Sequence, residues 1–176
     1  MAVIEAIATT YLEADAGSVS WTSIPATYEH LRVVVSAADS DASSTTGYYY
    51  LRLNGDTGGN YTNHRIMVDG SSVSAYGNAG QTYIWSPFAP ARKRRMVDSD
   101  YGPWVIDILD YANTNKNTTV SWEQGENIAS YQKLGSGSGL WDNTAAVDEI
   151  AVLTNIGSSA EWQRGSSFTL YGLNSS

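Results

Sequence analysis

The chain has 176 residues, of which 42% are hydrophobic and 16% are charged, with a formal net charge of −8 and no cysteine. This length and hydrophobic content suit one domain over residues 1–176 and exclude a disordered chain. The acidic balance argues against nucleic-acid binding by the surface as a whole, because phosphate contacts need Lys and Arg, and the lack of cysteine excludes disulfides and thiolate zinc sites.

The N-terminal segment, residues 1–12, is apolar and strand-like. Glu5 interrupts the apolar run and no positive charge precedes it, so we predict that it is not a signal peptide, and no later run approaches the length of a transmembrane helix. The segment is predicted to be an extended arm or an edge strand. Through Val3, Ile4 and Ile7 it would either add to the sheet of a neighbouring subunit or pair within its own domain.

From residue 18 onward the dominant pattern is period-two alternation of apolar and polar residues, which is typical of half-buried strands. The segments that carry it are SVSWTSI, HLRVVVSA, YYYLRL, NHRIMV, PWVIDILDY, TTVSWE, IASYQKL, EIAVLTNI and SSFTLYGL. They predict about nine to eleven short strands. We therefore expect an all-β, antiparallel, jelly-roll-like β-sandwich in a single domain, since an immunoglobulin-like sandwich fits this length less well. The glycine-serine run Gly135–Gly139 is predicted to be a loop tip.

The stretch LRLNGDTGGNYTNH, residues 51–64, groups asparagines and one carboxylate around three glycines. A calcium loop counted from Asp56 would need Glu at position twelve, where Met67 stands. The Gly-Lys-Ser/Thr of a phosphate cradle is missing as well. Glycine and asparagine supply positive φ at tight turns, so the stretch is predicted to connect two strands.

Candidates for catalysis or metal binding are few. Asp98 and Asp100 are spaced as in a calcium loop, but its twelfth position is Leu109, which leaves open only a weak surface cation site built from two loops. The two histidines, His30 and His64, stand on separate strand-like segments, and no G-x-S-x-G motif is present. A pair of glycosidase carboxylates would be assembled only in three dimensions. We predict no catalytic, cofactor-binding or metal-ligating residue and no enzymatic activity.

Four of the ten basic residues stand together as Arg92, Lys93, Arg94 and Arg95, after the proline-bounded segment SPFAPA. This stretch is predicted to be a loop. It is either simply solvated or a contact arm that reaches an acidic neighbour, which would be another copy of the chain or another protein. Nucleic acid is a weaker candidate partner, because the remaining six basic residues stand against 18 acidic ones.

Two tryptophans are further candidates for an interface. Trp141 follows the glycine-serine run and Trp162 precedes the last strand-like segment. Each is either a core side chain that caps the sandwich, or an interface anchor or sugar-stacking platform, because tryptophan combines a large apolar ring with one polar atom.

Four stretches together resemble a family of tailed-phage virion proteins found in phages of cyanobacteria and other aquatic bacteria. They are IPATYEHLRVVVSA, LRLNGDTGGNY, SGLWDNTAAVDEIAVL and GSSFTLYGL. The resemblance covers most of the chain, but residues 74–104 match no pattern of this family. It implies a jelly-roll protein that folds in the host cytoplasm and is assembled into the virion.

Within such a family, the expected role is that of a non-enzymatic capsid decoration (cement) protein on the outer head surface. Copies of the chain, as trimers, would bind the major capsid protein and stabilise contacts between shell subunits. No cofactor, nucleic acid or membrane is expected. The alternative is a tail-fibre or head-fibre module that recognises host surface glycans, although the chain has neither the heptads nor the β-helical repeat of a stalk.

Overall fold

The computed structural model describes residues 3–40, 48–86, 101–128, 131–154 and 160–175, and no side chain is described for residues 126–131. These ranges contain twelve strands and no helix. The strands are β1 (Val3–Tyr11), β2 (Ser18–Trp21), β3 (His30–Ala37), β4 (Tyr49–Leu53), β5 (Tyr61–Asp69), β6 (Ser72–Gln81), β7 (Ile84–Ser86), β8 (Gly102–Leu109), β9 (Thr118–Ile128), β10 (Tyr131–Trp141), β11 (Ile150–Thr154) and β12 (Ser167–Asn174). None of the described residues forms a helix able to span a membrane.

The strands form a larger sheet in the order β1-β12-β3-β8-β9-β10-β5-β6 and a smaller sheet in the order β2-β11-β4-β7. All neighbouring pairs are antiparallel. The first four strands alternate between the two sheets: β1 and β3 lie in the larger sheet, β2 and β4 in the smaller. The chain then returns to both sheets, with β11 between β2 and β4 and β12 between β1 and β3. This nested order is that of a jelly roll. The hairpins β5–β6 and β9–β10 are insertions that widen the larger sheet. The predicted all-β, antiparallel, jelly-roll-like sandwich is thus confirmed.

The core lies between the sheets and is dominated by aromatic rings, because alternate residues of facing strands point inward. Tyr49 of β4 packs against Trp162, with ring centroids 4.2 Å apart, and against Trp104 of β8 at 5.4 Å. Trp162 also meets Phe168 of β12 edge-on at 5.1 Å. Each such pair adds about 0.5–1.5 kcal/mol beyond the burial of its area.

The glycine-serine run lies inside β10, so the prediction of a loop tip for Gly135–Gly139 is wrong. The run is itself an alternating pattern in which the glycines face the core and the serines face outward. A Cβ on Gly137 would lie 2.4 Å from the ring of Trp122, and one on Gly139 would lie 2.7 Å from Ile84. The glycines are therefore needed because neighbouring side chains fill the space where their own would be.

The N-terminal segment forms β1, an edge strand that pairs with β12 of the same chain. Of the two predicted forms, the structure therefore has the edge strand. Val3 and Ile4 are 49% and 62% exposed. The register shifts between Ala6 and Ala8, and Ile7, at that bulge, packs against the core. Two of the three predicted contact residues of this segment are thus accessible at the sheet edge.

Candidate functional site

The stretch that follows β4 connects two strands, as the sequence predicts. Asn54 and Gly55 have φ angles of 50° and 62°, the left-handed conformation that Asn and Gly tolerate best. The Asn54 side chain then holds a second loop, because its amide donates to the carbonyl of Ala146 at 2.8 Å and accepts from the N–H groups of Asp148 and Glu149 at 3.0 and 3.1 Å.

Asp56, the one carboxylate of this stretch, is occupied by internal hydrogen bonds. It accepts from the N–H of Gly58 at 2.8 Å, the amide of Asn60 at 2.9 Å and the indole of Trp141 at 2.7 Å. The bonds from Trp141 and Asn60 hold the pKa of Asp56 below its ordinary value, because they favour the charged form. Among the described residues, no group of three or more His, Asp or Glu side chains is placed to hold a metal ion.

Both candidate tryptophans lie in the core. Trp141 is 1% exposed and Trp162 is fully buried, and the Trp162 indole donates to the carbonyl of Val152 at 3.4 Å. Their assignment as interface residues is therefore corrected to the core position that the sequence also allowed. The other candidates, Arg92–Arg95 with Asp98 and Asp100, lie outside the described residues.

The two histidines have separate environments. His30 accepts a hydrogen bond from the N–H of Asp110 at 3.0 Å, and the carboxylate of Asp110 also pairs with Lys116. These contacts close the turn after β8, where Asp110 has a φ of 50°. His64 is exposed on β5, far along the sheet order from β3, which carries His30. The structure does not bring them together as a catalytic pair.

The outward face of the larger sheet carries a groove, which we call the face groove. Its volume is about 370 Å³ and it crosses four neighbouring strands, β3, β8, β9 and β10. The residues that line it are Arg32, Val105, Asp107, Ser121, Trp122, Glu123 and Ser136. Their register explains the grouping, because residues paired across strands lie side by side on the same face. Asp107 pairs with Arg32 and with Ser121, and Glu123 pairs with Val105 and with Ser136.

A bidentate ion pair occupies one side of the face groove. The guanidinium of Arg32 donates to both carboxylate oxygens of Asp107, from Nε at 2.7 Å and from Nη2 at 2.9 Å. The hydrogen bond to Asp107 raises the pKa of Arg32. Glu123, Ser121 and Ser136 are exposed beside this pair. Among the described residues, the groove thus offers fixed donors, hydroxyl groups that both donate and accept, and one carboxylate, that of Glu123, outside the Arg32–Asp107 ion pair.

An apolar depression of about 260 Å³ continues from the face groove. It shares Val105 and Glu123 with the groove and adds Pro103 and Leu134, of which Leu134 is 60% exposed. The two depressions form one elongated surface that is polar at one end and apolar at the other.

The sequence gives little sign of the face groove. Alternation places Arg32 and Asp107 on the polar faces of their strands, and that is the only local signal. Nothing local brings β3, β8, β9 and β10 together, because their neighbours are set by the order of strands in the finished sheet. Serine is also common on the surfaces of strands, so Ser121 and Ser136 do not mark a site in the sequence.

No protein-family model matches the chain, and no curated protein matches it. Among solved structures it is similar to scytalido-glutamic peptidase with a transition-state analog inhibitor, at 11% identity and a TM-score of 0.32, over 88% of this chain and 74% of that one. A second structure, of scytalido-glutamic peptidase with a peptide-based transition-state analog, has 13% sequence identity and a TM-score of 0.29, over 92% of this chain and 65% of that one. A third structure, of the Eqolisin-family peptidase SCP-B with the tripeptide Ala-Ile-His, has 13% sequence identity and a TM-score of 0.28, over 92% of this chain and 64% of that one.

These comparisons contradict the prediction that the chain has no enzymatic activity, because the solved structures that it is similar to are peptidases. That prediction is therefore withdrawn. TM-scores of 0.28 to 0.32 assign neither an activity nor catalytic residues to this chain.

Proposed function

We propose that the chain is a virion structural protein of a tailed phage, and that it decorates the outer head surface and holds neighbouring subunits of the major capsid protein together. The observation that carries this proposal is the edge strand β1, whose Val3 and Ile4 are exposed. The resemblance of four stretches of the sequence to virion proteins supports the same role.

The β1 edge has the properties of a strand-addition site. β1 lies at one edge of the larger sheet, with β12 on one side and no strand of the described chain on the other. Such an edge offers backbone N–H and C=O groups to a strand from a partner. The bulge between Ala6 and Ala8 interrupts the regular register, so a partner strand would pair with the half that contains Val3 and Ile4.

Decoration requires many weak contacts rather than one strong contact. Copies of the chain joined as trimers would each present one β1 edge, and simultaneous engagement would raise the overall affinity without any new contact. The basic stretch Arg92–Arg95 stays a predicted second contact with acidic capsid surface.

The test compares charge at the two edges of the larger sheet. Val3→Lys combined with Ile4→Lys places charge on the β1 edge, while Val73→Lys is the matched control on β6, the opposite edge, where Val73 is 65% exposed. Purified heads that lack the chain are mixed with each variant, and bound copies per head are counted by mass spectrometry. We expect the double variant to lose head binding and the control to bind like the wild type.

Three results would contradict this proposal. Equal binding of the double variant and the wild type would remove β1 from the contact. Absence of the chain from purified virions would remove the virion role itself, whereas a few copies per particle would place it in the tail or at a head vertex. The trimer is tested separately by size-exclusion chromatography with light scattering.

A further inference from the structure

We propose that the face groove binds a neutral, linear oligosaccharide. The proposal rests on the lining and register of the groove and does not depend on head binding, since the groove and the β1 edge lie on different parts of the larger sheet.

The size of the groove suits a linear ligand. Its volume of about 370 Å³ lies within the range of small-molecule sites in proteins. Its lining residues stand on four adjacent strands, which at about 4.8 Å between neighbours extend roughly 14 Å across the sheet. The apolar depression lengthens this surface further. A short chain of ring-shaped units fills such a surface better than one compact molecule.

The polar lining matches hydroxyl groups. A sugar hydroxyl both donates and accepts, so it needs both kinds of partner close together. Arg32 supplies N–H donors beyond those that bind Asp107, and the exposed Glu123 supplies acceptors. Ser121 and Ser136 supply hydroxyls that do either.

The charge balance selects a neutral ligand. The positive charge of Arg32 is compensated by Asp107 at 2.7 Å, which leaves the carboxylate of Glu123 as the uncompensated charge of the groove lining. With a net charge of −8 over the chain, phosphate, sulfate and uronate groups would be repelled. A neutral polyhydroxyl compound carries no charge and is therefore not repelled in this way.

The rest of the surface lowers the cost of binding. Val105, Pro103 and Leu134 give an apolar area for the C–H faces of sugar rings. Ser121 and Ser136 are short side chains on a rigid sheet, so little conformational entropy is lost when a ligand fixes them. The site is therefore preorganised in the free protein.

The test is isothermal titration calorimetry of the full chain with a panel of neutral hexasaccharides: cellohexaose, maltohexaose, laminarihexaose, mannohexaose and chitohexaose. Oligogalacturonate is the anionic comparison, and an uncharged alanine-serine peptide is the peptide comparison. Ser136→Trp fills the groove, and Ser121→Trp fills it from the neighbouring strand in case the first variant does not fold. Ser20→Trp on β2 is the matched control, because Ser20 is an exposed strand serine of the smaller sheet.

We expect at least one neutral hexasaccharide to bind with a Kd below about 1 mM, and the folded groove variant to weaken it at least about tenfold while Ser20→Trp does not. Failure of the whole neutral panel to bind would overturn the proposal. So would binding that the groove variants leave unchanged, a preference for oligogalacturonate, or binding of the peptide alone. Failure of the oligosaccharide proposal is distinguished from failure of the proposed capsid role by measuring head binding of the groove variants. The capsid role requires β1 and not Ser136, so these variants should still bind heads if that role is correct.

Discussion

The carboxylate of Asp56 accepts a 2.7 Å hydrogen bond from the indole N–H of Trp141, 85 residues further along the chain. The bond ties the connection between β4 and β5 to the end of β10, whose last residue is Trp141. It also gives the buried indole a partner for its single polar atom. Asp56 thus acts as a structural link between the smaller sheet and the inserted hairpins of the larger one.

Replacement of Asp56 by alanine should destabilise the fold by about 1–3 kcal/mol, because three donors lose a charged acceptor and the Trp141 indole is partly cut off from water. Urea denaturation followed by tryptophan fluorescence measures the change. Asp148→Asn is the control, because Asp148 is exposed and its backbone N–H, not its side chain, bonds Asn54. A loss of less than about 0.5 kcal/mol in Asp56→Ala would show that this link contributes little.

Acid should weaken the fold partly through the same group. The pKa of Asp56 in the folded chain lies below the ordinary value of 3.8, chiefly because of the bonds from Trp141 and Asn60. Its stabilisation is therefore fully present above the unfolded pKa and is lost as the pH falls through the lower folded pKa. We expect the urea midpoint of the wild type to drop between pH 6 and pH 3, and to drop less in Asp56→Asn. An identical drop in both proteins would contradict this.

The inward glycines of β10 should be far less tolerant than another strand glycine. Gly137→Ala brings a Cβ to 2.4 Å from Trp122 and 2.7 Å from the carbonyl oxygen of His64, so we expect a loss of about 3 kcal/mol or failure to fold. Gly125→Ala on β9 is the matched control, because its nearest atom would be 4.0 Å away. Thermal denaturation of the two variants measures the difference, and equal melting temperatures would show that Trp122 moves aside freely.

Alkaline titration should show that Tyr50 ionises late. Burial raises its pKa to about 12, and the neighbouring Tyr83 and Tyr48 add to this shift. Because the folded pKa is above the ordinary 10.0, the stabilisation is present below pH 10 and is lost as the pH rises towards 12. Burial also raises the pKa of Tyr61 to about 12, so two tyrosines ionise in this range. Rapid pH-jump absorbance at 295 nm should show that Tyr50→Phe has a smaller tyrosinate step near pH 12, reduced by one tyrosine, and matches the wild type below pH 11. A deficit already at pH 10 would contradict the burial argument.

Much of this fold could be read from local patterns. Alternation identifies β3, β8 and β12, because one face of each strand must be apolar to cover the core and the other must be polar to meet water. The turn at Asn54 and Gly55 could be predicted as well, since few residues tolerate positive φ. These features depend on each residue and its immediate neighbours in the chain.

Other features depend on which segments meet across the sheet. Position 137 requires glycine because the ring of Trp122, on the adjacent strand, fills the space that a side chain there would occupy. The sequence alone shows only a glycine-rich, flexible composition at this position. Arg32, Asp107 and Glu123 share a groove because β3, β8 and β9 are neighbours in the larger sheet, which the two inserted hairpins extend. Alternation decides which face a side chain occupies, but pairing between distant strands, driven by burial of the common core, decides which side chains lie beside it.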